Sequence, residues 1–281
     1  MNPRPDLYEE IVRMRAEGLP AALCTVLLTR GSTPGKEAMK MLVREDGTTL
    51  GTVGGGCVEN DVIRMALEVL GDGRPRTRTF TLNQRDLPES GLICGGQVTI
   101  LAEAVTSPIL VLFGGGHVSA AIARVARECD LRILVCDPRA EYARPEAHPG
   151  ADECLALPWD AAVRRVTPAR NHYLVVATRG HKDDLEVLLA IQRSGCTPRY
   201  LGLLGSRAKK ATLERILTDE GASPEFLASI RTPIGLPIGA ATPGEIAVSL
   251  MAELVRLRRQ GEAGPPPDSH SPSKARHQAG V

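Results

Sequence analysis

Two glycine-rich stretches place a thiol where it could act. In Gly51-Thr52-Val53-Gly54-Gly55-Gly56-Cys57-Val58-Glu59, the glycines Gly54, Gly55 and Gly56 run into what reads as a helix start, which sets backbone N–H groups beside Cys57. A thiol at a helix N-terminus tends toward a depressed pKa, and the thiolate binds soft metals or carries sulfur. Cys94 is likewise followed by Gly95-Gly96, so a second thiol could reach the same cleft. Both are candidate metal-contacting and cofactor-binding residues, with Gly54, Gly55 and Gly56 as the backbone cradle. The plainer alternative is that a free cysteine is a small buried hydrophobe, and that is the reading for Cys24, Cys129, Cys136 and Cys196.

A second constellation begins where Leu110-Val111-Leu112-Phe113 turns into Gly114-Gly115-Gly116-His117-Val118-Ser119. Gly114 permits a tight strand-to-helix turn, and Gly116 lets the backbone approach a phosphate at the helix N-terminus. Asp137, at the end of a later apolar run, is spaced to accept a ribose hydroxyl. Ser119 stands where a third glycine is expected. Further on come Thr178-Arg179-Gly180-His181 and Ser206-Arg207-Ala208-Lys209, each after a strand-like run. Arg179, Arg207 and Lys209 suit a phosphate or pyrophosphate, with His117, His181 and Ser206 in the same loops. Taken singly, Asp183 and Ser206 could merely cap helices while the basic and histidine side chains face water.

These residues need elements to hold them. Short β-prone runs over 21–29, 39–44, 48–53, 76–82 and 97–105 alternate with glycine and proline, and a helix is expected over 58–70. After Thr106-Ser107-Pro108 the pattern changes to alternating strands and helices, which demands parallel pairing and right-handed crossovers. Thr242, Pro243 and Glu245 form a capping box that starts a last helix running to about Arg259. The expected fold is α/β: a β-rich α+β N-terminal domain over 1–106, then a Rossmann-like doubly wound parallel-sheet domain over 107–260. Residues 261–281, rich in Pro, Ser and charge, read as a disordered tail, which removes His270 and His277 from consideration.

The 281 residues carry a formal net charge of +1, with 43% apolar and 24% charged residues. That balance gives no footprint for nucleic acid, and no apolar run is long enough for a membrane span. The charged N-terminus lacks an apolar signal region, so a cytoplasmic location is expected, and the odd, scattered set of 7 cysteines argues against disulfides or a structural zinc. No nucleophile elbow, Walker loop, HExxH or paired-carboxylate arrangement is visible, so no catalytic residue is nominated.

The segments GSTPG, KMLV, GTVGGGCVEND, ICGG, FGGGHVSAAIA, VCDPRAEYA, ATRGHKDDLEVL, YLGLLGSRAKK and PIGLPIGAATPGEIAVSL, in this order, resemble the XdhC/CoxI family across nearly the whole ordered chain. The resemblance implies a maturation factor rather than an enzyme. It would transiently bind the molybdenum cofactor, as molybdopterin or its cytidine dinucleotide form, protect it during sulfuration with a cysteine desulfurase, and pass it to a molybdenum hydroxylase of the xanthine dehydrogenase type. A homodimer is possible. The alternatives are an NAD(P)-dependent oxidoreductase, resting on the glycine turn and Asp137 but lacking a hydride-transfer partner set, and a plain scaffold that binds neither ligand.

Overall fold

The computed structural model describes residues 6–82, 96–166, 172–195 and 197–260. Cys94, Cys196 and the 261–281 stretch lie outside those residues, as does the side chain of Cys57.

The described chain opens on helix α1 (Leu7–Glu17), started by Asp6, whose carboxylate accepts the Tyr8 and Glu9 amides, and stopped by Gly18 at φ 73°. From sequence this stretch registers only as charged and amphipathic, because its apolar stripe is short. The stripe matters once a sheet lies under it. Strands β1 (Ala21–Arg30), β2 (Lys40–Arg44), β3 (Thr49–Gly51), β4 (Arg76–Thr81) and β5 (Gln97–Ala104) form an antiparallel sheet in the order β3-β2-β1-β5-β4. Alternation along β1 sends Ala21 and Leu23 toward Ile11 and Met14 of α1. Ala22, Cys24 and Val26 face the other way, onto Val62, Met65, Ala66 and Val69 of helix α2 (Cys57–Asp72). Each such apolar side chain contributes about 1.5–3 kcal/mol on full burial.

The second unit is a parallel sheet of strands β6 (Ile109–Phe113), β7 (Arg132–Cys136), β8 (Glu153–Leu155), β9 (His172–Val176), β10 (Tyr200–Leu203) and β11 (Ile230–Arg231). Their order is β11-β10-β9-β6-β7-β8, and every neighbouring pair is parallel. Helices α3 (His117–Arg127) and α8 (Pro243–Gln260) cover one face. Helices α4 (Trp159–Val166), α5 (His181–Arg193), α6 (Arg207–Asp219) and the short α7 (Pro224–Ser229) cover the other. The sheet is therefore doubly wound, as the alternation of strand and helix predicts, and its order reverses between β6 and β9. That reversal is the switch point where open α/β sheets form a crevice. The expected capping box is formed at α8: Glu245 accepts the Thr242 amide at 2.9 Å, and Thr242 accepts the Glu245 amide at 3.3 Å.

Arginines of the second unit close helix ends of the first. Arg132 donates to the carbonyls of Arg15 and Ala16, at 3.2 and 2.6 Å, at the end of α1. Arg199 donates to the Asp72 carbonyl, the last residue of α2, at 2.9 Å. A cation at a helix C-terminus satisfies orphan carbonyls and opposes the negative dipole end. Among the described residues no helix is long and apolar enough to cross a membrane.

Candidate functional site

The glycine loops of the first unit pack against one another. A Cβ added at Gly54, where φ is +129°, would lie 2.6 Å from the Gly35 amide nitrogen, and one at Gly35 would lie 2.5 Å from the Val53 carbonyl oxygen. A Cβ on Gly96 would sit 2.4 Å from the Ser32 carbonyl oxygen. The 31–35 loop is thus wedged between the 51–56 loop and Gly96, so backbone stretches that are distant in sequence meet beside the first turn of α2. Cys57 begins that helix, with Gly56 as its cap residue and no side-chain cap. Cys94 belongs to the undescribed residues.

The sequence leaves two participants unremarked. Thr52 accepts the Gly54 amide at 3.1 Å, and Glu59 accepts the Gly55 amide at 3.1 Å while also taking the Thr52 hydroxyl. The amides of Gly54 and Gly55 are therefore spoken for by side chains of the same loop and helix, a role visible in the motif only as an unassigned Thr and Glu. A Cβ at Gly55 would meet nothing within 4 Å. The face of the loop at Gly55 is open.

In the second unit, Gly114 holds φ at +114°, and a Cβ there would lie 2.2 Å from the Ala177 carbonyl oxygen. The glycine is required by the close approach of the chain leaving β9, at the switch point itself. Gly116 caps α3, borders open space, and is followed by the exposed His117. His181 is the exposed first residue of α5, and Arg207 the exposed first residue of α6. The carboxyl ends of β6, β9 and β10 thus bring His117, His181 and Arg207 to one edge of the sheet, with Arg179 just before α5.

Other members of the set are engaged internally. Asp137 is fully buried. Its Oδ1 accepts the Arg139 amide and Nε at 3.0 and 2.9 Å; its Oδ2 accepts the Gly115 amide at 2.9 Å and Arg139 Nη2 at 2.8 Å. Burial alone would raise this carboxyl, but the hydrogen bonds from Arg139 and from the Gly115 and Arg139 amides outweigh it and hold it below its ordinary value. Arg139 in turn lies over the Tyr142 ring, 3.8 Å from its centroid. A Cβ on Gly115 would fall 2.0 Å from the Tyr142 carbonyl oxygen, so the 3-10 turn η1 (Ala140–Tyr142) lies directly on the glycine turn. Lys209 pairs with the buried Asp184 and donates to the Leu204 carbonyl at 3.0 Å; Asp184 also takes the Thr178 hydroxyl at 2.7 Å. Ser206 accepts the Lys209 amide at 3.2 Å and caps α6, and the exposed Arg179 pairs with Asp183 at 2.8 Å.

A cavity of about 670 Å³ escapes the sequence reading. It opens beyond β10 and β11, between the start of α6 and the 232–240 segment, and Glu253 of α8 lines it. Glu253 Oε2 accepts the Tyr200 hydroxyl at 2.8 Å and the Gly235 amide at 2.7 Å, and Arg231 approaches Oε1 at 3.6 Å. Burial, then the Glu253 charge, push the Tyr200 phenol well above its ordinary value. The sequence does carry a trace of the cavity, the repeated Pro-Ile-Gly of Pro233-Ile234-Gly235 and Pro237-Ile238-Gly239.

Of the thiols read as plain hydrophobes, Cys24 and Cys136 are buried, and burial pushes each up to about 12. Cys129 is half-buried. Among the described residues no group of His, Cys, Asp and Glu side chains is placed to hold a metal ion.

A doubly wound domain with a glycine turn at its switch point, preceded by a sheet-and-helix unit bearing a second glycine cluster, defines a two-unit class of Rossmann-containing proteins. The model described as the XdhC Rossmann domain matches residues 110–254, and that described as the XdhC and CoxI family matches residues 14–81. The chain belongs to the XdhC and CoxI family. It is 33% identical over 261 residues to the uncharacterized protein YqeB of Escherichia coli, covering 92% of this chain and 47% of YqeB. The chain therefore spans about half the length of that relative. It is 27% identical to the molybdenum cofactor insertion chaperone PaoD of Escherichia coli over 94% of this chain and 93% of PaoD. To a probable xanthine dehydrogenase subunit of Bacillus subtilis it is 23% identical, over 85% of this chain and 94% of that protein.

Proposed function

We propose that this chain is a maturation factor that binds the molybdenum cofactor as cargo and delivers it to a molybdenum hydroxylase of the xanthine dehydrogenase type. The observation that carries the reading is the convergence of the 31–35 loop, the 51–56 loop and Gly96 at the first turn of α2, where Cys57 starts the helix. An anionic pterin cargo suits the open loop face at Gly55 beside a helix N-terminus, and a molybdenum–sulfur centre suits a thiolate. Similarity to PaoD along nearly the full length of both chains supports the same role. On this reading Cys57 and Cys94 contact the cargo in turn or together, a cysteine desulfurase supplies the sulfido ligand, and the hydroxylase receives the product. The work would be done in the cytoplasm, by one copy or by a homodimer.

The nicotinamide alternative is weaker on a specific ground. Asp137, the residue a ribose would need, has its oxygens filled by Arg139 and backbone amides, and η1 lies across the glycine turn. A dinucleotide in the ordinary Rossmann pose would have to displace both.

The test is metal and pterin analysis of protein purified anaerobically from a molybdate-fed host, comparing wild type with Cys57→Ala and Cys94→Ala. Stoichiometric molybdopterin in the wild type, lost in either variant without loss of folded protein, is the expected result. No molybdopterin in the wild type, with the hydroxylase absent so that cargo accumulates, would sink the reading.

A further inference from the structure

A further large cavity, of about 760 Å³, opens along the seam between the two units and takes no part in the glycine cleft. Its base is apolar, because the buried Ile11 of α1, Leu23 of β1 and Leu70 of α2 line it. Its rim is cationic. Arg15, Arg74, Arg199, Arg258 and Arg259 stand around it, and Asp130 is the one acid among the described residues that line it.

Capping of helix ends accounts for part of that charge. Helices α1, α2, α3 and α8 all end around the cavity. Arg199 donates to the Asp72 and Leu257 carbonyls at 2.9 and 3.2 Å, Arg258 to the Cys129 carbonyl at 2.9 Å, and Arg74 to the Arg259 carbonyl. A helix C-terminus carries about half a negative charge, so four of them with Asp130 offset about three of the five guanidinium charges. About two positive charges are left over at the seam. Arg15 and Arg259 supply them: both are exposed, and neither side chain has a hydrogen-bond or ion-pair partner among the described residues. Beside them α1 presents apolar surface to water. Tyr8, which lines the cavity, is 57% exposed, and Val12, one turn further along the same face, is 67% exposed.

We propose that this seam docks a segment of a partner protein in which carboxylates alternate with apolar side chains, the apolar ones seated on Tyr8, Val12 and the base of the cavity and the carboxylates on Arg15 and Arg259. Exposed tyrosine and arginine around an apolar base are what protein interfaces are enriched in, and the guanidinium fork takes a carboxylate bidentately. Charge and apolar surface select this occupant together. An inorganic anion would leave Tyr8 and Val12 in water, and a second copy of this chain applying the same face would set arginine against arginine. Docking at the seam goes beyond the carrier reading and does not depend on it.

The experiment pans the full chain against a library of random peptides, then titrates the labelled consensus peptide by fluorescence anisotropy into wild type, Arg15→Glu, Arg259→Glu and Tyr8→Ser. Wild type should recover sequences in which Asp and Glu interleave with leucine or aromatic residues. Affinity should fall about tenfold or more, some 1.4 kcal/mol or more, in each arginine variant, and several-fold in Tyr8→Ser. Both arginines are exposed, so two independent variants keep the fold and the test. Arg215→Glu, the same charge reversal at an exposed position of α6 outside the cavity, should bind as wild type does. Recovery of no acidic and apolar consensus would overturn the proposal, as would affinity unchanged in both arginine variants or lowered equally in Arg215→Glu. Complete displacement of the peptide by pyrophosphate at equal concentration would reduce the seam to a plain anion site and overturn it too. A wild-type dimer in sedimentation that either arginine variant dissociates would give the face to a second copy, again against the proposal.

Discussion

Lys209 illustrates how a residue's neighbours decide its job. In sequence it is a basic residue after a strand, suited to a phosphate; in the fold its ammonium group faces Asp184, which has no exposed surface, and the Leu204 carbonyl. Removing the cation would strand a buried carboxylate, a loss of about 3–5 kcal/mol, whereas removing a purely ligand-binding lysine would leave stability unchanged. Lys209→Met should therefore lower the urea midpoint strongly in ligand-free protein, and an unchanged midpoint would return Lys209 to the role of a free phosphate ligand. Asp184→Asn should be milder, because asparagine can still accept from Thr178 and Lys209, 27% exposed, can turn to water. Asp137 teaches the same lesson at shorter range. The spacing from the glycine turn was legible as that of a ribose acceptor, whereas in the fold the carboxylate takes the Gly115 amide and the competitor for its oxygens, Arg139, stands only two residues away in the same Asp-Pro-Arg run.

At the level of elements, local signals were sufficient where they were strong. The β-branched runs between glycines gave β1, β4 and β5, and the Thr-Pro-Gly-Glu start gave α8 to within a residue. What escaped was short or dependent on distant partners: β8 and β11 span only 3 and 2 residues, and α4 only 8. The cavity escaped for the same reason, since Tyr200 on a strand and Glu253 inside a helix are joined only by folding. The docking of α1 is a case where the partner can be tested. Glu10 is buried beneath Arg13 and Arg44, the latter on β2, at 2.8 Å each. Hydrogen bonds from Arg13 and then Arg44 lower its carboxyl from 4.5 to about 2. A carboxyl depressed by folding contributes stability that is complete above its unfolded value and is lost as pH falls through the folded one. Glu10→Gln should thus cost about 1–3 kcal/mol near neutrality. The gap from wild type should close as pH falls from 4.5 toward about 2. Guanidinium unfolding curves across that interval check it, and a gap independent of pH would mean that the charge of Glu10 contributes nothing.

Across the whole molecule, the two sheets meet through arginine-to-carbonyl contacts as well as apolar ones, and this predicts how the chain unfolds. Arg132 and Arg199 each reach from the parallel sheet to the end of a helix in the antiparallel unit, and Arg199 also donates to the Leu257 carbonyl of α8 at 3.2 Å. One side chain, on the residue just before β10, therefore ties α2 to α8, and a hydrogen bond from a charged group contributes about 1.5–3 kcal/mol. Inter-unit contacts of this polar kind hold domains in register less firmly than a continuous core does. The apolar cores are separate, since β1 and α2 pack in one cluster while β6, α3 and α8 pack in another. Removing the arginine ties should then expose the units as independent melting bodies. Calorimetry of wild type should give one cooperative transition, and Arg132→Ala combined with Arg199→Ala should split it into two, the earlier one belonging to the antiparallel unit with its smaller core. A single transition kept by the double variant would mean that Gly18 against Ile109 and the other apolar contacts suffice to couple the halves. That outcome would make the two units one cooperative body despite their separate apolar cores.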